Sequence, residues 1–381
     1  MNPKINKILE KTIQTTYSKD SPLSFCVVGA GNGGLAMAGY LGLLGFPTTL
    51  YNRSREKLHA VQWHKGIELS GVMEGFGKIT LATTSMEEAI KDADIIMVTV
   101  PATGHYEVAK SMAQYLRTGQ IVTLNPGRTG GALAFNHALS KNGCCTHPLI
   151  AETSTFIFAS RSIGGGKAKI FRIKNSVRFA TLPAHFIPQT LPLLNKAFPQ
   201  FIPGDNVLST GMENIGAIFH PALTLLNAGW IERTKGNFDY YSDGITPSIA
   251  NVLEVIDAER VKVASGFGMH TVSAREWLYL TYDAPGRNLY EAIKNTSAYR
   301  GISAPPTILH RYVFEDIPMS LIPLASLGSM INIKTPWIEK IIDLANLMHK
   351  KDYRKEGRTI THMGLQKLSM QQLHKIVLGI D

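Results

Sequence analysis

A segment at residues 213–228, ENIGAIFHPALTLLNA, carries the side chain best suited to proton chemistry, His220. On a helical wheel of about 100° per residue, one face of this segment is apolar and the other is small and polar. The polar face comprises Glu213, Gly216, Ala217, His220, Thr224, Asn227 and Ala228. Because this face holds no Lys or Arg, it is more typical of a cleft wall than of a solvent-facing surface. We therefore expect Glu213, His220 and Asn227 to line a cleft and contact a small molecule there.

His220 is a candidate acid or base because an unperturbed imidazole exchanges its proton near neutral pH. The alternative is a structural histidine whose ring nitrogens are hydrogen-bonded within the protein. Pro221 follows it in the sequence and is expected to kink the helix, since proline lacks an N–H group.

A second group of candidates lies at residues 307–318, TILHRYVFEDIP. Arg311 and Glu315 have the spacing of an ordinary ion pair on one face of a helix. Asp316 shares a side with Arg311 only if the segment departs from an ideal helix. In that case Arg311 can bind a carboxylate through two hydrogen bonds. Asp316 can then orient His220, as a carboxylate does in a catalytic triad. Both interpretations stay open from the spacing alone.

A glycine-rich stretch near the N-terminus predicts a dinucleotide site. An apolar strand, Phe25 to Val28, precedes G-x-G-x-x-G at residues 29–34, and a small-residue helix and a second strand, Thr48 to Tyr51, follow. In such a unit the first glycine permits the tight turn, the second lets the backbone approach a pyrophosphate, and the third lets the helix pack closely. The N-terminus of the helix offers N–H groups to the phosphates. The alternative is a glycine-rich turn in another kind of α/β protein.

The dinucleotide is expected to contact the glycine loop and the ends of neighbouring strands. These residues are Gly29, Ala30, Gly31, Asn32, Gly33, Gly34, Asn52, Arg53, Ser54, Val100, Pro101, Ala102 and Asn125.

The end of the second strand bears on cofactor choice. An acidic residue is expected there to bind the ribose 2′-hydroxyl of NAD, but no carboxylate precedes Glu56. Arg53, flanked by Asn52 and Ser54, can instead bind a 2′-phosphate. We therefore predict a preference for NADP(H), with NAD(H) as the alternative if Arg53 is only solvated.

The elements that hold these residues predict two domains, since single cores rarely exceed roughly 250–300 residues. Residues 94–101, DIIMVTVP, form the apolar run that a buried parallel strand needs. We assign 1–23 to an N-terminal extension of a short helix and a linker, which precedes the fold and is a candidate for a dispensable segment. Residues 24–204 are predicted to form a Rossmann-type doubly wound sheet, and 205–381 a helical domain. The predicted fold class is thus α/β followed by all-α.

Local signals place several elements within these domains. Lys167–Ile173 and Val177–Leu182 flank a polar turn and predict a hairpin, and residues 201–205 predict a turn-rich boundary. Beyond that boundary strand signals nearly vanish. Helices are predicted to start at Asn206, Thr246-Pro247, Ser273 and Thr335-Pro336.

The composition is that of an ordinary globular protein, with 381 residues, 44% of them hydrophobic and 18% charged. The formal net charge is +10, but the basic residues are scattered, which favours small anionic ligands over nucleic acid. Three cysteines, Cys26, Cys144 and Cys145, make no disulfide framework and fit a reducing cytoplasm. Without a long apolar stretch or a signal-like N-terminus, we expect no membrane partner. No metal is expected, and a homodimer is left open.

Five segments together resemble the octopine/nopaline dehydrogenase family, the opine dehydrogenases. They are the glycine motif at 29–34, IAETSTFIFASR at 150–161, ENIGAIFHP at 213–221, HRYVFEDIP at 310–318 and DYRKEGRT at 352–359. In combination they are far more specific than the glycine motif. The resemblance implies a Rossmann domain and a helical domain. It also implies NAD(P)H-dependent condensation of an amino acid's α-amine with a 2-oxo acid such as pyruvate.

The same resemblance implies residue roles. His220 would be the catalytic acid/base, Asp316 its orienting partner and Arg311 a ligand of a substrate carboxylate. Glu152 and Thr153 would line the same cleft.

Two other functions stay open. Related two-domain reductases, of the glycerol-3-phosphate or 2-dehydropantoate type, typically rely on a lysine in the cleft, whereas the helix at 213–227 offers His220 and no lysine. A plain 2-oxo acid reductase remains an alternative. A non-catalytic dinucleotide-sensing protein would keep the fold without turnover, but the chain retains every proposed catalytic residue.

Overall fold

The structure, a computed structural model, describes residues 3–17 and 22–380 and divides into two compact units. The first unit comprises the described residues up to Thr210 together with those from His362 onward, and the second is Gly211–Thr361. The boundary falls close to the predicted one. The prediction was wrong for the C-terminal segment, which belongs to the first unit rather than to the helical one.

All strands of the described chain lie in the first unit. They are β1 (Phe25–Val28), β2 (Thr48–Tyr51), β3 (Gly66–Gly71), β4 (Gly75–Lys78), β5 (Leu81–Thr83), β6 (Ile95–Val98), β7 (Ile121–Leu124), β8 (Leu149–Thr153), β9 (Phe158–Gly164), β10 (Lys167–Ile173), β11 (Val177–Leu182) and β12 (Phe201–Pro203).

The larger sheet has the order β12-β11-β8-β7-β6-β1-β2-β5. The six strands from β8 to β5 are parallel neighbours, β11 is antiparallel to β8, and β12 runs parallel to β11. Its central strands β1, β6 and β7 are buried along their whole length and are apolar except for Thr123, because helices cover both faces of such a sheet. This order confirms the predicted doubly wound fold. The winding reverses between β1 and β6, and α/β proteins of this kind bind ligands at that point.

A smaller sheet of order β4-β3-β10-β9 also belongs to the first unit. It corrects the predicted hairpin, because β10 pairs with β3 and β9 while β11 pairs with β8 and β12. Burial explains the separation: β10 alternates between exposed and buried residues at its start, whereas most of β11 is buried on both faces. Lys174, in the short connection, donates from Nζ to Thr155 Oγ1 at 2.5 Å. Residues 201–203, predicted to be part of a turn, form the edge strand β12.

The helices of the first unit surround these sheets. They are α1 (Pro3–Tyr17), α2 (Asn32–Leu43), α3 (His59–His64), α4 (Met86–Ile90), α5 (His105–Met112), α6 (Gly131–Lys141), α7 (Ile187–Asn195) and α8 (Val207–Met212), which spans the boundary.

The N-terminal helix α1 is part of the first unit's core. Leu9 and Ile13 are 0% and 3% exposed and share one apolar cluster with Leu193 of α7. The predicted helix is confirmed, but its packing argues against a dispensable extension. The linker predicted after it falls largely on residues 18–21, outside the described ranges.

The second unit is helical, as predicted. Its helices are α9 (Gly216–Leu226), α10 (Ala228–Thr234), α11 (Pro247–Gly266), α12 (Ala274–Tyr282), α13 (Leu289–Asn295), α14 (Arg311–Phe314), α15 (Ile322–Met330), α16 (Pro336–His349) and α17 (Tyr353–Glu356). The only strand-like pairing among its described residues is an isolated bridge between Asp239 and Ser303.

The predicted helix starts are confirmed, three of them by side-chain caps, while α16 starts at Pro336 without a cap bond from the Thr335 side chain. The Thr246 side chain accepts from the Ile249 N–H at the start of α11, and Ser273 forms a capping box with Glu276 at the start of α12. Asn206 accepts from two N–H groups at the start of α8.

The chain closes on the first unit through α18 (Met370–Leu378). Leu373 and Val377 are buried, and the Leu378 carbonyl lies 3.3 Å from Nδ1 of His185. These contacts explain why the C-terminal segment belongs to the first unit. Among the described residues, no helix is long and apolar enough to cross a lipid bilayer.

Candidate active site

The glycine loop between β1 and α2 has the geometry that its sequence predicts. Gly29 has φ +114°, a conformation that L-residues with side chains rarely adopt. A Cβ added to Gly34 would lie 1.7 Å from the carbonyl oxygen of Gly29, so only glycine lets α2 approach the strand here. By contrast, no atom lies within 4 Å of a Cβ added to Gly31. Gly31 thus borders open space at the N-terminus of α2, which fits a pyrophosphate.

The strand after the loop is tied back to it through Asn52. Its Oδ1 accepts from the Ala30 N–H at 3.0 Å, and its Nδ2 donates to the Ser54 carbonyl at 2.9 Å. Asn52 therefore shapes the loop. The side chain of Arg53, between Asn52 and Ser54 in the sequence, is exposed. An exposed guanidinium at this position is accessible to a ligand phosphate.

Two residues within the glycine motif, Asn32 and Gly33, lie against other parts of the first unit. Asn32, the first residue of α2, accepts from the Ser162 N–H of β9 at 3.0 Å, which joins the loop to the smaller sheet. A Cβ added to Gly33 would lie 2.7 Å from the Phe156 ring, so this ring covers the loop. Sequence reasoning missed Phe156, although it lies within the segment at 150–161.

The predicted contact residues after β6 and β7 lie at the carboxyl edge of the sheet. A Cβ added to Gly29 would come within 2.9 Å of the Val100 side chain, so Val100 borders the glycine loop. Pro101 is exposed and Ala102 buried. Asn125 is buried and donates from Nδ2 to the Thr123 carbonyl at 2.8 Å, which fixes the turn after β7.

Glu152 and Thr153, at the end of β8, are buried within the first unit. The Glu152 carboxylate is 0% exposed and accepts from the Ala132 N–H at 2.7 Å and from Thr210 Oγ1 at 2.6 Å. Thr153 Oγ1 donates to the Leu124 carbonyl at 3.3 Å. These bonds favour structural roles for both residues over the substrate contacts that the resemblance implies.

In the second unit, His220 of α9 forms the predicted pair with Asp316. His220 Nδ1 lies 2.8 Å from Asp316 Oδ2, and the two side chains are 19% and 1% exposed. Asp316 follows α14 and precedes a π-helical turn, Ile317–Leu321, so the segment does depart from an ideal helix. Because a carboxylate accepts, Nδ1 carries the proton, and the lone pair of a neutral His220 ring lies on Nε2.

Arg311 does not join this pair. Its Nε and Nη2 contact Glu315 Oε2 at 3.0 and 2.8 Å, which is the ordinary ion pair that the spacing also allowed. The Arg311 side chain is 53% exposed and that of Glu315 only 2%. About half of the Arg311 side chain faces solvent.

Tyrosines enclose His220, and the sequence did not predict them. The Tyr312 ring stacks on the imidazole with centroids 4.1 Å apart, and the Tyr241 hydroxyl lies 3.1 Å from Nε2. The Tyr240 hydroxyl donates to the His220 carbonyl at 3.0 Å and is 2.7 Å from Thr224 Oγ1. Tyr312 lies inside the segment 307–318, but the adjacent pair at 240–241 follows α10 without any periodic pattern.

The rest of the polar face of α9 is not the cleft wall that the helical wheel predicted. Thr224 is buried, and Asn227 donates from Nδ2 to the carbonyls of Leu223 and Gly244, both at 2.9 Å. Glu213 precedes the helix, and Leu226, assigned to the core face, is 40% exposed. Thr224 and Asn227 are thus polar because they bond to groups of the protein itself, whereas His220 is 19% exposed.

The local electrostatics favour the uncharged forms of three neighbours of His220. Burial raises the pKa values of the Tyr240 and Tyr241 hydroxyls well above their ordinary range, so both stay protonated. Burial, assisted by Arg311 and His220, lowers the pKa of His310, although Asp316 acts in the opposite direction. The neutral form of His310 is therefore favoured.

Two protein-family models match the chain. One, described as the alpha-helical domain of NAD/NADP octopine/nopaline dehydrogenase, matches residues 203–349. The other, described as the N-terminus of NAD-dependent glycerol-3-phosphate dehydrogenase, matches residues 24–128. An opine dehydrogenase from Arthrobacter sp. (strain 1C) is 38% identical over 355 residues, which cover 93% of this chain and 98% of that protein.

Solved structures with a similar fold include an octopine dehydrogenase with NADH and L-arginine. Its TM-score is 0.78 at 20% identity, over 94% of this chain and 98% of that one. A yersinopine dehydrogenase with bound NADP+ has a TM-score of 0.68 at 15% identity, over 94% and 98% of the two chains. At such identities the likeness shows the fold, a nucleotide-binding unit combined with a helical unit.

Proposed function

We propose a reaction for this chain, which belongs to the octopine/nopaline (opine) dehydrogenase family. It is accordingly an NAD(P)-dependent oxidoreductase that acts on CH–NH bonds. The proposed reaction joins the α-amine of an amino acid to a 2-oxo acid such as pyruvate and reduces the resulting imine to an N-(carboxyalkyl)amino acid. The single observation that carries this proposal is the contact of 2.8 Å between His220 Nδ1 and Asp316 Oδ2.

The acid–base steps follow from that contact. An amino acid arrives as an ammonium, which has no lone pair and cannot attack a carbonyl. A neutral His220 accepts this proton at Nε2, and Asp316 stabilises the imidazolium that forms. The free amine attacks the keto carbon, and His220 returns the proton to the departing hydroxyl, so that water leaves and a protonated imine remains.

The first unit fits a dinucleotide at its glycine loop. Gly29 and Gly34 bring α2 close to the strand, and the open space at Gly31 gives a pyrophosphate access to the N-terminus of α2. When bound, the reduced nicotinamide supplies the hydride for the imine carbon. We propose that Arg53, with an exposed side chain and no carboxylate before Glu56, favours NADP(H) over NAD(H).

Arg311 is the proposed ligand of a substrate carboxylate. Its Nε and Nη2 are engaged by Glu315, but its side chain is 53% exposed. The buried Glu315 partner holds the guanidinium in place, which reduces the entropy lost when a carboxylate binds. We also propose a cytoplasmic location, which the three free cysteines favour.

A matrix assay tests the proposed reaction. Each of a panel of amino acids is combined with each of a panel of 2-oxo acids, and oxidation of NADPH and NADH is followed. We expect oxidation only when both an amine and a 2-oxo acid are present. Oxidation with the 2-oxo acid alone would identify a plain reductase, and cofactor binding without turnover would identify a sensing protein.

The His220→Ala variant tests the catalytic assignment in the same assay. We expect kcat to fall by about 10²-fold or more, because that is the usual contribution of a positioned acid or base. The control is His270→Ala, which removes an exposed histidine of the same unit and should leave kcat unchanged. If His220→Ala keeps a near wild-type kcat with intact cofactor binding, the assignment is wrong.

A further inference from the structure

We infer that the Tyr241 hydroxyl is a further catalytic group, which carries protons between His220 Nε2 and the reacting atoms of the substrate. The inference rests on the proposed condensation reaction and adds a residue to it. Asp316 engages Nδ1 of His220, so proton exchange with a substrate must use Nε2. The neighbour of Nε2 in the structure is the Tyr241 hydroxyl, at 3.1 Å.

The tautomer of His220 defines the direction of this hydrogen bond. Because Nδ1–H donates to Asp316 at 2.8 Å, the Nε2 of the neutral ring is an acceptor, and Tyr241 O–H is its donor. The lone pairs of the tyrosine oxygen then remain for a second donor. An ammonium group is such a donor, so the hydroxyl can join an incoming amine to the imidazole.

Packing holds the Tyr241 hydroxyl in this position. Tyr241 is 6% exposed, and its ring stacks on Tyr299 with centroids 4.1 Å apart and 18° between the planes. The edges of Tyr240 and Phe219 pack against it at centroid distances of 4.9 and 6.5 Å. A ring enclosed on several sides cannot swing away to expose Nε2 without disrupting these contacts.

The proton transfers balance at each step. As the substrate ammonium gives a proton to the Tyr241 oxygen, the tyrosine proton passes to His220 Nε2, which leaves a free amine, a neutral tyrosine and an imidazolium. The amine adds to the keto carbon, and proton transfer within the adduct gives a neutral carbinolamine. The imidazolium proton then returns through Tyr241 to the hydroxyl of the carbinolamine, the C–O bond breaks, and water and a protonated imine result.

The surroundings favour a tyrosine that passes protons on without ionising. Burial among Tyr299, Tyr312 and Tyr240 raises the pKa of Tyr241 well above its ordinary value, so a free phenolate is disfavoured. Asp316 lies on the far side of the imidazole and stabilises a positive charge there. The charge therefore settles on His220, and the tyrosine is neutral before and after each transfer.

The test compares the Tyr241→Phe and Tyr240→Phe variants. Each is assayed with the amino acid, 2-oxo acid and cofactor that the wild-type protein uses in the matrix assay. Both variants remove one hydroxyl from adjacent buried tyrosines, but Tyr240 bonds to the His220 carbonyl and Thr224 rather than to the imidazole. We expect Tyr241→Phe to lower kcat by about 10²-fold with KM changed less than about threefold. Tyr240→Phe should lower kcat by no more than a few-fold.

Thermal unfolding and NADPH binding of both variants establish that they are folded. If folded Tyr241→Phe turns over as fast as wild type, or faster, the hydroxyl merely covers Nε2 and the inference is overturned. A rise in KM alone, or an equal loss of kcat in both variants, also overturns it, since either would indicate a packing role. If the wild-type protein itself shows no amine-dependent oxidation, the proposed function has failed instead.

Discussion

Asp316 reaches His220 because the chain leaves the α-helical path between Phe314 and Ile322. A four-residue helix, Arg311–Phe314, is followed by the π-helical turn Ile317–Leu321. Adjacent side chains of a helical segment point in different directions, so Glu315 pairs with Arg311 while Asp316 pairs with His220. Irregular helical turns of this kind often occur at functional sites.

The Asp316→Asn variant should impair chemistry more than binding. An amide of the same size can still contact Nδ1, but it lacks the negative charge that stabilises imidazolium. If the amide N–H donates to Nδ1, the proton of the His220 ring lies on Nε2, which then cannot accept a proton from the substrate. We expect kcat to fall by about 10²- to 10⁴-fold, as for other carboxylate–histidine pairs, with little change in KM.

Steady-state kinetics at saturating cofactor measures this effect. Asp343→Asn, the same change at an exposed position of α16, is the control. A kcat within about threefold of wild type in Asp316→Asn would show that the charge is not used.

Arg53 is the residue on which cofactor choice is predicted to depend. The Arg53→Ala variant should lower kcat/KM for NADPH by about ten- to a hundredfold, since a hydrogen bond to a charged group contributes about 1.5–3 kcal/mol. The kcat/KM for NADH should change little. Arg55→Ala removes a second exposed arginine nearby and is the matched control. An equal loss of kcat/KM with both cofactors would mean that Arg53 does not bind the 2′-phosphate.

Single residues differed in how far the sequence could predict their roles. His220 was predicted from its place on a polar helix face. Its pairing with Asp316 was one open possibility from the spacing and was otherwise implied by the family resemblance. Tyr241 was missed because its contact with His220 depends on how the loop after α10 folds back. Asn227 lies on the predicted polar face, yet its amide is used by the carbonyls of Leu223 and Gly244. A polar face shows that partners exist without showing whether they are ligands or backbone groups.

Among the secondary-structure elements, α1 departs most from its predicted role. A stripe at Ile5, Leu9 and Ile13 has the four-residue spacing of an amphipathic helix, and it packs into the core of the first unit. Positively charged residues on its other side gave the sequence the appearance of a solvated extension.

The Leu9→Ala variant tests the contribution of this helix. Leu9 is 0% exposed, so its truncation should lower the free energy of unfolding by about 2–4 kcal/mol. Ile8→Ala on the same helix is the control, because Ile8 is 50% exposed and should cost less than about 0.5 kcal/mol. Urea denaturation of both variants measures the difference. Equal stabilities would mean that α1 is dispensable after all.

Strand pairing was less predictable than strand identity. The runs at Lys167–Ile173 and Val177–Leu182 do form strands, but the turn between them links two sheets instead of closing a hairpin. Turn residues indicate where a chain changes direction, whereas the pairing partner depends on burial. Because β11 is buried along most of its length, it fits the larger sheet.

At the level of the whole molecule, the two-unit architecture was predictable because the hydrophobic pattern changes from strands to helices near residue 205. The return of the chain to the first unit after the helical unit was not predictable from this pattern. Residues from His362 onward carry no strand signal, and an amphipathic helix such as α18 can pack against either unit. Only its contacts, such as Leu378 with His185, decide the matter.

This return has a consequence for the order of assembly during synthesis. The ribosome produces the described residues of the first unit up to Thr210, then all of Gly211–Thr361, and only then the segment that carries α18. Until that last segment emerges, the nascent nucleotide-binding unit exposes the apolar surface that Leu373 and Val377 later cover. The helical unit is thus inserted between two segments of the first unit, so the second segment is synthesised only after the whole helical unit. A chain terminated before that segment would have an incomplete first unit.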